Sequence, residues 1–434
     1  MIKLQEEKAV SKTVLALILM VAVTLASIAT AVYYATNPPV SHPTEEKILV
    51  IYHWWTAGGE REAIDALFND FKTEYPGVTI IDNPAAGGGG AVMRAAVKAM
   101  IMGGQYPDTF QVTYGPGMCA SWAPYAQPID DIVASTPIPD SLKSWGKVGD
   151  HYYFVPLNIH RDNNLWYNIK LVNELNITMP LNTVDDFFAA CDKIKASGKT
   201  PFAFGTGSGQ RFWLDYLFEW FVLVAPHGGA DYLANFYAGK AHPATDPAVS
   251  EALGYLQKLF QNYVNPDYGA LTWDEAGKML MRDEAVFNYM GDWQKGMFMS
   301  SGWKPYVDFG FQTAPGTQGT TICHGDSFGL SLGAPHPTTT KEFLTVVASA
   351  KGEHDFCIIK GATPPRTDVS MNDFDQMQQD IAHLVKTDRI ISGGHGVRED
   401  WFDKFGEILE SYITSWDKNS TINAIASLYS GITW

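Results

Sequence analysis

The sequence is poor in cysteine, and its four cysteines form no recognisable motif. Cys119, Cys191, Cys323 and Cys357 are dispersed over 434 residues without a CxxC pair. Zinc sites and redox pairs depend on such short spacings, so neither is predicted. A disulfide such as Cys323–Cys357 is permitted in an oxidising compartment, but the sequence does not establish it.

Basic charge is also scarce. Lysine and arginine together number 31 against 47 aspartates and glutamates, which gives a formal net charge of −16 at pH 7. Binding to nucleic acid requires a basic surface that neutralises phosphates. The charge balance therefore excludes nucleic acid as a partner.

Glycine occurs in a run, but the phosphate-binding glycine motifs are missing. No segment matches GxxxxGK(S/T), and the run at 87–90 fails the GxGxxG spacing because Val92 occupies the third glycine position. We therefore expect a strand-to-helix loop close to a ligand here, and not a nucleotide site.

Hydrophobic residues are abundant, and the N-terminus concentrates them. Residues 14–34 carry no charge, and at about 1.5 Å per residue they can cross a membrane core of about 30 Å. Lys3, Lys8 and Lys12 precede this run, which favours an inside N-terminus with everything after the run outside the cell. The Pro-rich residues 37–44 then predict an extended spacer.

Two fates are open for this apolar run. Ala29-Thr30-Ala31 resembles the small-residue cleavage site of a secretory signal peptide. Lys8-Ala9 resembles the processing site of archaeal pilin-like signal peptides, which leave the helix on the mature protein. Retention is favoured, because the run exceeds the usual signal core of about 7–15 residues.

From Glu46 onward, predicted strands alternate with predicted helices, which favours α/β layering with substantial parallel sheet. Helix 60–75, for example, has Ile64, Leu67 and Phe71 on one face. The predicted strands are 48–52, 78–81 and 108–112, and the further predicted helices are 91–102, 184–196, 246–263, 273–282 and 341–351.

A pair of tryptophans stands where a ligand is expected. Trp54 and Trp55 follow the first predicted strand, at the carboxyl end where open α/β sheets bind ligands. Adjacent rings in a strand point to opposite sides, so both cannot join one core. The C–H face of a pyranose stacks on an aromatic ring, while its hydroxyls need polar partners such as Asp292 beside Trp293. The pattern favours a sugar pocket.

The longer pattern resembles the extracellular solute-binding proteins of carbohydrate ABC transporters, and is most similar to the glucose/galactose-binding proteins of thermophiles. The similarity extends in order over essentially the whole chain from about residue 46, which isolated motifs cannot imitate. The matching segments are 53–60, 75–78, 107–112, 155–161, 166–167, 271–273, 288–293, 315–319 and 326–330.

The resemblance implies a type II periplasmic-binding-protein-like fold, in which two α/β lobes are joined by hinge strands. Residues 1–45 would form the transmembrane or signal helix and its linker. The implied first lobe comprises 46–157 and 328–363, and the second comprises 158–327 and 364–434. The implied crossings between the lobes lie near 156–158, 327–330 and 363–366.

The resemblance also implies the side chains that bind the sugar. Trp54 and Trp55 would wall the pocket, Trp273 would be the stacking platform, and Asp326 would accept a pair of hydroxyls. The family has a sugar-contacting histidine where this sequence has Thr113, so that contact is lost or replaced. The full implied set is Trp54, Trp55, Glu60, Gln111, Thr113, Trp273, Trp293, Asp326, Lys360 and His395.

The implied function is binding without chemistry. A monosaccharide of the glucose, galactose or mannose type would bind between the lobes and favour their closure, and the permease subunits of an ABC transporter would recognise the closed form. No cofactor and no metal are implied. The protein would be a monomer on the extracellular face of the cell membrane, anchored by its N-terminal helix.

A secreted carbohydrate-active hydrolase is the main alternative. Residues 325–329 match the GxSxG pattern around a nucleophilic serine, with His395 downstream. That pattern requires a helix after the serine, whereas residues 328–332 predict extended chain. A glycosidase would need two carboxylates at a separation that the sequence does not give. A structural surface protein would have no saturable ligand.

Overall fold

The computed structural model describes residues 47–56, 58–86 and 89–430, together with Met20, Val21 and Thr24. By its contacts the chain divides into Met1–Glu46 and Lys47–Trp434, and every element named below belongs to the second unit. Apart from those three residues, the predicted apolar helix at 14–34 lies outside the described residues. Among the described residues, no helix combines the length and the apolar character needed to cross a membrane.

Strands and helices alternate up to residue 133, as the sequence predicts, whereas four strands follow one another between residues 147 and 168. The strands are β1 Ile48–His53, β2 Thr79–Pro84, β3 Thr109–Tyr114, β4 Ala126–Gln127, β5 Lys147–Val148, β6 His151–Tyr152, β7 Phe154–Arg161, β8 Asn164–Asn168, β9 Thr200–Ala203, β10 Ala285–Tyr289, β11 Phe309–Thr313, β12 Thr320–Ser331 and β13 Arg389–Ile391.

Helices occur along the whole of the described chain from Gly58 to Ser430. They are α1 Gly58–Glu74, α2 Ala91–Met102, α3 Pro116–Trp122, α4 Asp130–Val133, α5 Asp140–Lys143, α6 Ile169–Glu174, α7 Val184–Ala196, α8 Trp213–Val224, α9 Ala230–Tyr237, α10 Pro247–Asn262, α11 Trp273–Met281, α12 Trp293–Ser300, α13 Pro337–Val347, α14 Ala350–Lys360, α15 Gln376–Thr387, α16 Glu399–Ser415 and α17 Lys418–Ser430. Short 3-10 turns occupy Ala123–Tyr125, Ser144–Gly146 and Gly393–Gly396.

Two main sheets carry these elements. The larger has the order β13-β12-β3-β1-β2, with β4 and β7 also paired to β12. In it β1 runs parallel to β2 and β3, whereas β12 runs antiparallel to β3 and β7. The second sheet has the order β11-β8-β10-β9, and β5 and β6 form a separate pair. The sheets are therefore mixed, with the predicted parallel pairing at the start of the chain.

The buried residues form two separate hydrophobic cores. We call the cluster around β1, β3 and α1 the first core, and the cluster around β8, β10 and α8 the second core. Along the chain, the buried residues of these clusters up to Ile159 belong to the first core and those from Leu165 to Ile322 belong to the second. From Cys323 they belong to the first core again. After Phe374 the chain returns to the second core, from Met377 onward. Met118 on α3 is an exception, because it belongs to the second core. The lobe boundaries given above stay a prediction.

Local sequence explains where these elements begin and end. In α1 the predicted apolar face is buried, and Gly77, with a φ of +88°, turns the chain after it. The predicted helix 341–351 is wrong as one element, because it spans the end of α13 and the start of α14. Ser349 separates the two helices: its hydroxyl accepts a hydrogen bond from the Gly352 N–H at 2.9 Å and caps α14.

All four cysteines are buried free thiols. A Cys323–Cys357 disulfide is therefore not present in the structure. Burial raises the pKa of the Cys119 thiol to about 12, which makes that thiol a poor nucleophile.

Candidate functional site

A cavity of about 40 Å³ is lined by residues of both cores. We call it the inner cavity. It has room for about three water molecules, so in this conformation the polar groups around it pair mainly with one another. Its lining is Trp54, Glu60, Gly89, Arg94, Thr113, Met118, His160, Phe212, Trp213, Tyr216, Trp273, Trp293, His324, Asp326, Lys360, His395 and Phe402.

The structure brings eight of the ten predicted site residues to this cavity. Gln111 and Trp55 are the two that do not line it. These eight residues are spread over about nine-tenths of the described chain and over both cores. Only folding therefore brings them together. They are Trp54, Glu60, Thr113, Trp273, Trp293, Asp326, Lys360 and His395.

Trp54 occupies one wall because it directly follows β1. The glycine run supports it: a Cβ on Gly90 would lie 2.3 Å from the indole, so only glycine allows the backbone to approach the ring this closely. The loop predicted to lie near a ligand therefore has two roles, since Gly89 lines the inner cavity and Gly90 packs on Trp54.

Trp55 packs in the first core and does not line the inner cavity. Its ring centroid lies 4.8 Å from that of Phe356 and 5.8 Å from that of Phe328. The side chain is fully buried. It reaches the site only indirectly, because the Lys360 ammonium lies 5.7 Å from its ring centroid. The prediction that the two rings cannot both join one core is wrong: both belong to the first core, with ring centroids 6.4 Å apart, because both follow the end of β1 and the alternation of a strand does not apply to them. Of the two, only Trp54 also lines the inner cavity.

Gln111 positions two cavity residues instead of lining the cavity. Its amide nitrogen donates to Asp326 Oδ1 at 2.9 Å, and its amide oxygen accepts from the Trp54 backbone N–H at 3.1 Å. Because β3 and β12 are paired, Gln111 lies close enough to Asp326 for this contact. A single fully buried amide therefore links the Trp54 backbone to the Asp326 carboxylate.

The Asp326 carboxylate accepts hydrogen bonds from three side chains. Besides Gln111, Asn158 donates to its Oδ2 at 3.0 Å, and His160 Nε2 donates to the same oxygen at 3.0 Å. Burial alone would raise the pKa of Asp326, but the hydrogen bond and charge of His160 and the charge of Lys360 lower it well below the usual range. Asp326 is therefore a fixed anionic acceptor.

His160 is clamped between two carboxylates. Its Nδ1 contacts Asp292, and its Nε2 contacts Asp326. Burial would lower the pKa of His160, but the two carboxylates outweigh burial and raise it to about 9. At neutral pH the imidazole is charged and ties β7, β12 and the start of α12 together.

Glu60 and Lys360 form a second buried ion pair at the cavity. Burial raises the pKa of Glu60, and the opposing effect of the Lys360 ammonium does not cancel it. Lys360 also lies 6.0 Å from the ring centroid of Trp293. The pair presents one anionic and one cationic group to the same space, which suits hydroxyls that both donate and accept.

Two neutral imidazoles complete the lining. The ring centroids of His324 and His395 are 4.2 Å apart. Burial and the charge of His160 lower the pKa of His324 to about 3, and burial and His324 lower that of His395 well below its usual value. His395 Nε2 pairs with the Tyr216 hydroxyl at 2.8 Å, whereas its buried Nδ1 has no hydrogen-bond partner in the described structure.

These imidazoles also belong to the one potential metal-ligand cluster that the described part of the chain contains. One ligand atom each from Asp162, His324 and His395 lies within 4.8 Å of the others. His324 Nδ1 already contacts the Asp162 carboxylate at 2.9–3.0 Å. Two members of this cluster therefore already contact each other.

Several lining residues escaped prediction, for different reasons. His324 stands two residues before Asp326 in β12, and alternate residues of a strand share a face, so this residue could have been found. Trp213 and Tyr216 lie in α8, which is buried on every side and is therefore predominantly apolar around its whole circumference, so the sequence offers no clear signal for the face towards a ligand. Arg94 likewise has no sequence signal that separates it from a solvated helix residue.

The serine of the GxSxG match is not placed for catalysis. Ser327 lies within the strand β12, which confirms the predicted extended chain. Its hydroxyl donates to the Val112 carbonyl at 2.8 Å, so it is a sheet residue. The strand-turn-helix that exposes a nucleophilic serine is not formed at this position.

Comparisons with known proteins agree on one family. The family model described as bacterial extracellular solute-binding protein matches residues 57–354. An uncharacterized ABC transporter extracellular-binding protein of Pyrococcus horikoshii is 35% identical over 95% of each chain. A probable sugar-binding periplasmic protein of Mesorhizobium japonicum is 31% identical over 80% of this chain and 82% of its own length.

A solved structure gives the same fold. The chitin oligosaccharide binding protein superposes with a TM-score of 0.76 over 88% of this chain and 98% of its own, at 17% identity. Such a likeness concerns the fold alone, and it confirms the predicted two-lobe mixed α/β architecture.

Proposed function

The chain belongs to the bacterial extracellular solute-binding protein family, and from this premise we propose that it is the extracellular sugar-binding component of an ABC transporter. We propose as its ligand a monosaccharide of the glucose, galactose or mannose type. The names of its relatives support a sugar, and the lining of the inner cavity supports the choice of one pyranose ring.

One observation carries the proposal: aromatic walls from both cores face a ring of buried polar groups. Trp54 belongs to the first core, and Trp273 and Trp293 belong to the second. A pyranose stacks its C–H face on such rings, and its hydroxyls then meet Asp326, Lys360 and His395. The unpartnered Nδ1 of His395 suits a hydroxyl, which can donate or accept according to the tautomer.

The ten residues predicted from the resemblance divide into two roles under this proposal. Eight of them would touch the sugar, while Gln111 and Trp55 would hold Asp326, Trp54 and Lys360 in place. Thr113 leaves a space where the family has a histidine, and we propose that His324 on β12 supplies the imidazole instead.

Binding would proceed by closure. The inner cavity is too small for a hexose while Glu60 pairs with Lys360, so the two lobes must separate before a sugar enters. Contacts from both cores would then favour the closed state by the difference in affinity between the two states. The permease would recognise the closed form, and the N-terminal helix would hold the protein at the outer face of the membrane.

Calorimetric titration of the full chain with glucose, galactose and mannose tests this proposal. We expect saturable 1:1 binding of at least one hexose, and we expect Trp273→Ala to weaken it at least 100-fold because the stacking face is lost. Trp303→Ala is the matched control, since Trp303 is a half-buried ring on Phe309 outside the cavity. Failure of the folded protein to bind any hexose contradicts the proposal.

A further inference from the structure

The short turn that carries His395 rests on two buried carboxyl groups. This turn, Gly393–Gly396, follows β13 and brings His395 to the inner cavity, and we call it the His395 turn. Asp215 and Glu219 lie against it, four residues apart and therefore on the same face of α8. They are 1% and 2% exposed. Neither lines the inner cavity, so the sugar contacts proposed above do not use them.

Both carboxyl groups touch the backbone of the turn. Glu219 Oε1 accepts a hydrogen bond from the Gly394 N–H at 2.6 Å. A Cβ on Gly393 would lie 2.2 Å from the same oxygen, and a Cβ on Gly394 would lie 2.1 Å from Asp215 Oδ2. Only glycine therefore allows the backbone to approach these oxygens so closely. The conformation of the turn thus depends on where the two carboxyl groups lie.

The residue that follows Asp215 on α8 holds the imidazole of the turn. The Tyr216 hydroxyl pairs with His395 Nε2 at 2.8 Å, and the centroids of the two rings lie 5.9 Å apart. One face of α8 therefore fixes both the backbone of the His395 turn and the side chain that the turn presents to the cavity.

The two carboxyl groups have no positive charge to balance them. Among the described residues, neither Asp215 nor Glu219 forms an ion pair, and no cation is among the groups that act on them most strongly. Burial raises the pKa of Asp215 to about 7 and that of Glu219 well above its usual value, and Asp162 acts on both in the same direction. The folded chain therefore keeps protons here that carboxyl groups in water lose near about pH 4.

The other titratable groups that face the pair are neutral. Burial raises the pKa values of Tyr216 on α8, Tyr237 on α9 and Tyr289 on β10 well above their usual value, so all three keep their protons. Burial lowers the pKa of His395 well below its usual value. Helices α10 and α16 contact α8 through aromatic rings. Loss of a proton from the pair therefore creates a buried negative charge without a neighbouring cation.

We propose that Asp215 and Glu219 are positioning residues that couple sugar binding to protons. While the pair keeps its protons, it holds the His395 turn so that the imidazole faces the inner cavity. As protons leave, the repulsion between the carboxylates and their need for water favour displacement of the turn. A sugar that binds the form with the turn in place then takes up protons as it binds. This inference rests on the proposed sugar-binding function and adds a dependence on pH to it.

Calorimetric titration of the full chain at pH 6 and pH 8 tests this coupling, with glucose, galactose and mannose as probes. The form with the turn in place binds more protons, so we expect the affinity for the tightest-binding hexose to fall at least about 5-fold from pH 6 to pH 8. His160, whose pKa is about 9, stays mainly charged over this range. Phosphate and Tris differ in enthalpy of ionisation, so binding enthalpies measured in both buffers at pH 8 give the proton uptake.

Glu219→Gln distinguishes a proton-linked role from a merely structural one. The amide keeps an oxygen for the Gly394 N–H and carries no charge at any pH. We expect this variant to bind the hexose more tightly than the unmodified chain at pH 8, with a smaller fall in affinity from pH 6 and less proton uptake. Asp215→Asn, the second variant, should differ in the same direction. Glu251→Gln is the matched control, since the Glu251 carboxylate accepts the His227 N–H at 3.0 Å outside the cavity.

The outcomes separate this inference from the proposed function. If a hexose binds equally well at pH 6 and pH 8, the coupling is overturned and the proposed function stands. The same holds if Glu219→Gln and Asp215→Asn keep the pH dependence and the proton uptake of Glu251→Gln, because a structural role lowers affinity without changing either. If no hexose binds to the folded chain at pH 6, the proposed function fails and this inference fails with it.

Discussion

Arg94 and Glu399 form an ion pair in which the two side chains are 4% and 7% exposed. Arg94 lies on α2, whose apolar face packs in the first core, and Glu399 begins α16, whose apolar face packs in the second. Lys98, one turn further along α2, contacts the same carboxylate. The pair therefore joins the two halves of the molecule beside the inner cavity, which Arg94 also lines.

We expect Glu399→Gln to favour the open form. Without the carboxylate Arg94 keeps its hydrogen bond to the Gly89 carbonyl but loses its buried ion pair, a loss that costs about 3–5 kcal/mol and is relieved when the lobes separate. Sugar affinity should fall at least 10-fold in a calorimetric titration. Asp400→Asn is the control, because the neighbouring Asp400 is exposed and only reaches Arg398 at 3.7 Å. Equal affinity in the two variants would mean that the Arg94–Glu399 ion pair does not stabilise the closed form.

The same pair predicts a loss of affinity in acid. Burial would raise the pKa of Glu399, but Arg94 and Lys98 lower it below its usual value. A carboxyl with a lowered pKa contributes stability above its unfolded pKa of about 4.3, and that contribution disappears as pH falls through the folded value. Affinity measured from pH 6 downward should therefore decline less in Glu399→Gln than in the unmodified chain.

His160 predicts the opposite dependence in base. Its pKa is raised to about 9 by Asp292 and Asp326 against the effect of burial. A raised histidine pKa contributes stability that is complete below the unfolded pKa of about 6.5 and is lost as pH rises through 9. The loss amounts to about 3 kcal/mol at most, since one pKa unit corresponds to about 1.4 kcal/mol.

Chemical unfolding of the full chain between pH 6 and 10 measures this effect. We expect the free energy of unfolding to fall over that range, and His160→Gln to flatten the decline. His151→Gln is the control, because His151 contacts Asp130 at an exposed site. An unchanged slope in His160→Gln would mean that another group titrates there.

A buried carboxyl next to the site predicts a further stability change. Burial raises the pKa of Asp215 to about 7, and the Tyr237 hydroxyl donates to it at 2.7 Å. The folded chain thus keeps a proton that the unfolded chain loses near about pH 3.9, so stability falls as pH rises from 4 through 7. Asp215→Asn is neutral at every pH and should therefore be more stable than the unmodified chain at pH 8.

Unfolding at pH 5 and pH 8 tests this expectation. The advantage of Asp215→Asn should be present at pH 8 and small at pH 5. Asp231→Asn serves as the control, because Asp231 is exposed and pairs only with Arg389. If Asp215→Asn is less stable than the unmodified chain at both pH 5 and pH 8, the expectation is wrong, and the Asp215 carboxyl stabilises the fold as a hydrogen-bond acceptor.

Sequence reasoning predicts regular elements well where local signals dominate. Helices 91–102 and 184–196 have the predicted bounds, the second because Thr183 and Asp186 form a capping box. It fails at 341–351, where apolar periodicity continues across the cap at Ser349. A cap in the middle of a long apolar pattern is a weaker signal than the pattern itself.

The site is predictable only in part, because its residues act through partners far away in the sequence. Trp54 and Asp326 lie in segments that match the family, 53–60 and 326–330, so the resemblance predicts both residues. The role of Gln111 depends on the pairing of β3 with β12, and the role of Trp55 depends on its packing against Phe356. Neither follows from composition. Tyr216 pairs with His395 across 179 residues, a contact that only the fold creates.

The final prediction concerns two glycines where α12 meets α1 and α14. A Cβ on Gly296 would lie 2.5 Å from the Lys360 carbonyl oxygen, and a Cβ on Gly59 would lie 2.9 Å from that of Gly296. Gly296→Ala must therefore push α12 away from the helix that carries Lys360. Because Trp293 lies one turn earlier in α12 and lines the inner cavity, we expect sugar affinity to fall at least 10-fold.

Gly254→Ala is the matched control for this change. Gly254 is also a helical glycine, in α10, but its nearest neighbour is the flexible Lys418 ammonium at 3.4 Å. Alanine favours helix over glycine, so this variant should gain about 0.5–1 kcal/mol of stability with unchanged affinity. X-ray scattering should then show compaction in Gly254→Ala, and reduced compaction in Gly296→Ala, at a saturating concentration of the hexose that the unmodified chain binds most tightly. Equal compaction in both would mean that closure does not require the close approach of α12 to α14.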